Sequence, residues 1–108
     1  MKEWSLAELE EFTAQHKSGL VYLYTPLCGT CQLAEKMMLV TEKIREDLTI
    51  GKININYMPT LAEKWKIESV PCLVFVKNGE IAHKITAFHS VPYLVETIQS
   101  VYETPGRF

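Results

Sequence analysis

The sequence predicts an α/β fold in which a mixed β-sheet carries helices on both faces. Three observations predict it. Helical and strand-like periodicities alternate along the chain in the order α-β-α-β-α-β-β-α. A strand–helix–strand crossover in the first half calls for parallel pairing. An Asn78-Gly79 turn between two strand-like runs in the second half calls for an antiparallel hairpin. The 108 residues suit a single domain over 1–108, with 47% hydrophobic and 22% charged residues marking a packed chain rather than a disordered one.

The first helix is expected over 5–16. Ser5 and Glu8 fit a capping box, Leu6, Leu9 and Phe12 recur at helical spacing, and Lys17-Ser18-Gly19 ends it. Residues 20–25 form a short apolar run suited to a buried central strand, closed by Pro26. A long helix is expected over 29–47, with Leu33, Met37, Val40 and Ile44 on one face and Lys36, Glu42, Lys43, Arg45 and Glu46 largely elsewhere. Residues 49–55 alternate as a strand, but the pattern leaves its faces ambiguous. Pro59 suits the opening of a short helix over 60–65. A strong strand over 72–76 follows Val70-Pro71 and is turned by Asn78-Gly79 into a returning strand over 81–86. Ser90 caps a last helix carrying Leu94, Val95, Ile98, Val101 and Tyr102, and 103–108 read as a loose tail.

Charge and composition exclude several function classes. A net charge of -2 provides no electrostatic case for nucleic acid or an anionic membrane. No apolar run approaches the roughly 18 residues of a membrane span. The N-terminus leads into an acidic amphipathic stretch rather than an apolar signal region, so the expected location is cytoplasmic. Structural disulfides are rare there, and three cysteines make an odd number for a disulfide framework.

Chemistry concentrates at Cys28-Gly29-Thr30-Cys31. A C-x-x-C pair can hold a metal, close a structural disulfide or be inert. Placed where an apolar strand passes into a helix, it reads as a dithiol that exchanges electrons with other disulfides.

With these residues in place, the chain resembles the thioredoxin family over nearly its whole length. The tetrapeptide follows the second element. Lys52-Ile53-Asn54-Ile55-Asn56 is similar to the family's middle strand. Val70-Pro71 falls about 40 residues after Cys31, where the family has a cis-proline beside its active site. Phe75-Val76-Lys77-Asn78-Gly79-Glu80 is close to the family's hairpin. The resemblance implies a thioredoxin-like fold and a thiol–disulfide oxidoreductase. Cys28 would be the nucleophile at a helix N-terminus, where unpaired N–H groups favour a thiolate. Cys31 would resolve the mixed disulfide. Gly29 would let a substrate backbone approach. Pro71 would turn Val70 so that its N–H and C=O meet an extended substrate. The expected cofactor is none beyond the redox-active Cys28–Cys31 disulfide, with no metal. The expected partners are disulfide-containing proteins or small-thiol substrates, with a separate reductase or small thiol as electron donor.

Several positions depart from the family pattern. Thr30 stands where thioredoxin has proline, and its N–H and hydroxyl are suited to stabilising the Cys28 thiolate. That makes the couple more oxidising than the roughly -270 mV of thioredoxin, towards the about -200 to -230 mV of glutaredoxins. Tyr22 stands where the family usually has a buried aspartate that serves the second cysteine. A phenol with an ordinary pKa near ~10 is a poor base, so weaker activity is expected; the alternative is simple core packing. Lys52 matches the family's accompanying lysine, but the resemblance leaves it without its carboxylate partner. Leu27 replaces a tryptophan, Thr25-Pro26 is unusual, Ala87 replaces a groove glycine and Lys36 a helix-kinking proline. These changes bear on the partner set more than on the chemistry.

Cys72 follows Pro71 and has three readings: a small buried hydrophobe, a third redox thiol, or a ligand of a shared metal site. His16, His83 and His89 are dispersed and complete no zinc motif with the cysteines. His89 falls in a loop that the resemblance places near the active site. Trp4 and Trp65 read as packing residues, and Met37-Met38 as core and partly exposed filler. Two further functions stay open beside the oxidoreductase: a redox-sensitive binding module on the same fold, and a cysteine metal site.

Overall fold

A computed structural model describes residues 1–103. Its elements are β1 (Lys2–Glu3), α1 (Leu6–Ala14), β2 (Gly19–Tyr24), α2 (Gly29–Ile44), β3 (Thr49–Asn54), a 3-10 turn (Ile55–Tyr57), α3 (Pro59–Lys64), β4 (Cys72–Lys77), β5 (Glu80–Ile85) and α4 (Val91–Tyr102). The sheet order is β1-β3-β2-β4-β5. β1, β3 and β2 run parallel, while β4 pairs antiparallel with both β2 and β5. The mixed sheet and its helices on both faces follow the sequence expectation.

Alternation along the central strand builds the two core layers. Val21 and Leu23 of β2 face one side with Val74 and Val76 of β4, where Leu9 and Phe12 of α1 and Leu61 of α3 cover them. Leu20 and Tyr22 face the other side with Leu73 and Phe75, where Ala34 and Met38 of α2 and Leu94 and Ile98 of α4 cover them. β3 is internal and buried on both faces, with Ile53 in the first layer and Ile50 in the second. That double burial is why its alternation is ambiguous in the sequence.

Local signals terminate the elements. Ser5 and Glu8 close the capping box on α1. Asn78 and Gly79 take positive φ, 54° and 85°, in the β4–β5 turn. A side chain at Gly79 would collide with the Thr13 carbonyl, so glycine is required there for space as well as conformation.

Four expectations need correction. β1 is absent from the sequence expectation, because a two-residue parallel edge strand has no sequence period; it is held by pairing with Gly51 and Lys52. Helix α2 stops at Ile44 rather than residue 47, where Arg45 caps it and turns to pair with Asp47 and Glu103. The buried face of α2 is Cys31, Ala34, Met38 and Thr41, while Leu33, Val40 and Ile44 are about half exposed. The apolar stripe read from the sequence therefore lies beside the core. Glu103 is not loose: its N–H donates to the Gln99 carbonyl at 2.8 Å and its carboxylate lies 2.6 Å from Arg45. The rest of the expected loose tail, 104–108, lies outside the described residues.

Candidate functional site

The topology brings three chain segments to one end of the sheet. β2 and β3 are parallel, so their C-terminal residues Tyr24 and Asn54 share an end. α2 begins just beyond β2. β4 is antiparallel to β2, so Val70 and Pro71, which lead into it, lie at the same end.

Cys28 is the N-cap of α2. Its Sγ accepts the Cys31 N–H at 3.1 Å and lies 3.3 Å from Thr30 Oγ1. The Cys31 N–H donates, and the Thr30 hydroxyl is able to donate once the sulfur is a thiolate, at a helix N-terminus that itself favours negative charge on sulfur. The sulfurs of Cys28 and Cys31 lie within disulfide-bonding distance, with Cα atoms 5.1 Å apart. Cys28 is partly exposed, whereas Cys31 is 2% exposed. Nothing lies within 4 Å of where a Cβ on Gly29 would sit, so no contact within the chain requires glycine there. The Val70–Pro71 peptide bond is cis, and the Val70 carbonyl oxygen stands 4.0 Å from Cys28 Sγ.

A groove beside the dithiol is lined by Thr30, Leu33, Val70, Pro71, Phe88 and His89. His89 has a positive φ of 55° and packs edge-on against Tyr93 at 4.6 Å between ring centroids. Leu27 is 99% exposed immediately before Cys28. His16 and His83 are elsewhere: His16 ends α1 and His83 packs on Phe75 in β5.

Beneath the dithiol the structure supplies what the sequence reading lacked. Tyr22 is fully buried and its hydroxyl donates to the Cys31 carbonyl. Burial first, then the nearby Glu35 carboxylate and Tyr24, hold its pKa well above the ordinary phenol range. Lys52 is not without a carboxylate partner: Nζ lies 3.1 Å from Glu35 Oε2, and 5.4 Å from the Tyr24 ring centroid. Sequence reasoning misses Glu35 because its pairing spans helix and strand. The available signal is its place four residues after Cys31.

Cys72 is buried, and its side chain belongs to the layer under α1 and α3, with Val74, Val76 and Leu61. Helix α2 covers the opposite face. Burial raises the Cys72 thiol pKa, and Lys84 offsets this in part. Among the described residues, no group of three or more His, Cys, Asp or Glu is placed to hold a metal ion. Among the same residues, no helix is long and apolar enough to cross a membrane.

Comparison with known proteins points one way. The thioredoxin family model matches residues 2–100. The thioredoxin-like protein YusE of Bacillus subtilis is 45% identical over 97 residues, covering 87% of this chain and 92% of that protein. The thioredoxin-like protein slr0233 of Synechocystis is 28% identical over 91 residues, covering 83% and 87%. A mutant thioredoxin from Halobacterium salinarum superposes with a TM-score of 0.78 at 25% identity, over 94% of this chain and 88% of that one. Chloroplastic thioredoxin z shares the fold, with a TM-score of 0.82 at 19% identity over 95% of each chain.

Proposed function

This chain belongs to the thioredoxin family, and on that premise we propose that its Cys28–Cys31 dithiol reduces or exchanges disulfides in cytoplasmic proteins or low-molecular-weight thiol adducts. The observation that carries the reading is the environment of Cys28. It is a partly exposed sulfur at the N-terminus of α2, with the Cys31 N–H and the Thr30 hydroxyl both at hydrogen-bond distance.

The chemistry follows from that environment. The Cys28 thiolate attacks a substrate disulfide, forming a mixed disulfide and releasing one substrate thiolate. Cys31 then attacks Cys28 Sγ, the second substrate thiolate leaves, and the protein ends as the Cys28–Cys31 disulfide. The substrate gains two electrons and the dithiol loses two. A separate reductase or a small thiol restores the dithiol. Val70 is the backbone that meets an extended substrate, and the open space over Gly29 lets that substrate approach. Tyr22 does not replace a carboxylate base, since its hydroxyl is a donor to Cys31. The cost falls on the resolving half of the cycle, which we expect to run slower than in a thioredoxin with a buried aspartate. The net charge of -2 favours neither nucleic acid nor an anionic membrane as a partner.

The test is a redox titration of the dithiol in defined glutathione or dithiothreitol buffers, with thiol trapping read by mass. Reversible two-electron closure between about -270 and -200 mV is expected. Absence of closure, or a mass showing bound metal, overturns the oxidoreductase reading in favour of a binding module or metal site.

A further inference from the structure

Resolution of a mixed disulfide requires Cys31 to lose a proton, and Cys31 is 2% exposed. Bulk water therefore has little access to it, and a nearby group must take the proton. The candidates around α2 can be sorted by what each already does. From β2, the Tyr22 hydroxyl donates to the Cys31 carbonyl, and the Tyr24 hydroxyl donates to Glu3 Oε1 of β1 at 2.7 Å. From β3, Lys52 is a cation that donates to Glu35 Oε2. On α2 itself, Glu42 pairs with the N-terminal amine of Met1. Glu42 lies about three helical turns beyond Cys31, whereas Glu35 is one turn away and is an acceptor with capacity to spare. Oε2 takes the Lys52 bond, and Oε1 has no hydrogen-bond partner among the described residues.

Its placement fits the task. Glu35 lies one helical turn after Cys31, and residues four apart share a helix face. Helical side chains lean towards the N-terminus, which carries position 35 back towards the turn of Cys31, and the Glu35 carboxylate is near enough to act on the Tyr22 phenol, whose hydroxyl donates to the Cys31 carbonyl. Its side chain is 32% exposed, which leaves it open to exchange a proton with solvent after each turnover.

We propose that Glu35, held in place by Lys52, accepts the Cys31 proton as Cys31 attacks the mixed disulfide. The proposal rests on the oxidoreductase reading. In this step the Cys31 S–H proton passes to the Glu35 carboxylate, directly or through one water. The Cys28–Cys31 bond forms as the bond from Cys28 to the substrate sulfur breaks. The departing substrate thiolate takes back a proton from Glu35 or from solvent. Lys52 is a positioning residue.

The experiment mixes the reduced full chain, in a common Cys72→Ala background, with the aromatic disulfide dithiobis(nitrobenzoate) in a stopped flow. Release of the first coloured thiolate reports attack by Cys28, and release of the second reports resolution by Cys31. In the chain with Glu35 intact, the second phase is expected to hold a plateau around neutral pH. In Glu35→Gln, the first phase is expected to be unchanged and the second about 10- to 100-fold slower near neutrality. Its rate should rise about tenfold per pH unit and converge on the parent rate at alkaline pH, where Cys31 ionises unaided. Glu35→Asp should recover part of the plateau, and Lys52→Met should lose part of it. A second phase whose pH profile is the same with glutamine, or is lowered equally at every pH, overturns the proposal. Absence of the first phase in the parent chain overturns the oxidoreductase reading instead. An altered first phase in Glu35→Gln alone assigns the residue to packing and overturns its role as base.

Discussion

At Cys28, two donors within 3.3 Å of one sulfur set how strongly the reduced form is held. The backbone donor is the Cys31 N–H and survives any side-chain change at Thr30. The Thr30 hydroxyl does not, and it is exposed, so its contribution is the smaller end of a charge-assisted hydrogen bond. Thr30→Val is expected to lower the dithiol potential by roughly 30 mV, the equivalent of about 1.4 kcal/mol, in the same glutathione titration. An unchanged potential would show that the helix N-terminus alone sets the thiolate. The tetrapeptide and its neighbours could be found in the sequence because they are contiguous. The Lys52–Glu35 pair could not, because 17 residues and a change of element separate its members.

Helix α2 shows how an element can be recognised while its orientation is misjudged. The stripe of Leu33, Met37, Val40 and Ile44 is the most apolar line along it, yet the core meets Ala34, Met38 and Thr41. Small Ala34 and Thr41 allow close approach to the sheet, and the Thr41 hydroxyl is satisfied by the Met37 carbonyl at 2.9 Å. Met38 is fully buried while Ile44 is 54% exposed. Met38→Ala should therefore cost about 2–5 kcal/mol in urea unfolding. Ile44→Gln should change stability by no more than about 0.5 kcal/mol. The reverse order would restore the face read from periodicity. Leu33 and Met37 still have a use, since both line the groove beside the dithiol.

Across the whole molecule, one buried and one partly buried phenol tie the elements together. Tyr102 of α4 donates to the carbonyls of Gly19 and Val76, at 2.8 and 3.0 Å, locking the helix to two neighbouring strands. Tyr22 joins the central strand to α2. Burial raises the pKa of both well above the ordinary range. In the unfolded chain they ionise near ~10. Because the folded values are the higher ones, this stability is fully present below about pH 10 and is lost as pH rises beyond it, when only the unfolded chain releases the protons. The slope approaches about 1.4 kcal/mol per pH unit for each tyrosine. Urea unfolding of the oxidised chain between about pH 9 and about pH 11 should show it, and Tyr22→Phe should make the slope shallower. A flat profile would contradict the shielding of both hydroxyls from water. By itself the sequence determined the α/β order, the capping box, the Asn78-Gly79 turn and the C-x-x-C at a strand-to-helix junction. Each of these is written in residues within a few positions of one another. Only the tertiary structure decided which face of α2 meets the sheet, that Lys2 and Glu3 form an edge strand, that Cys72 packs on the face away from α2, and that Glu35 answers Lys52. Those outcomes depend on which surfaces meet across the sheet, and a local pattern carries no record of its distant partner.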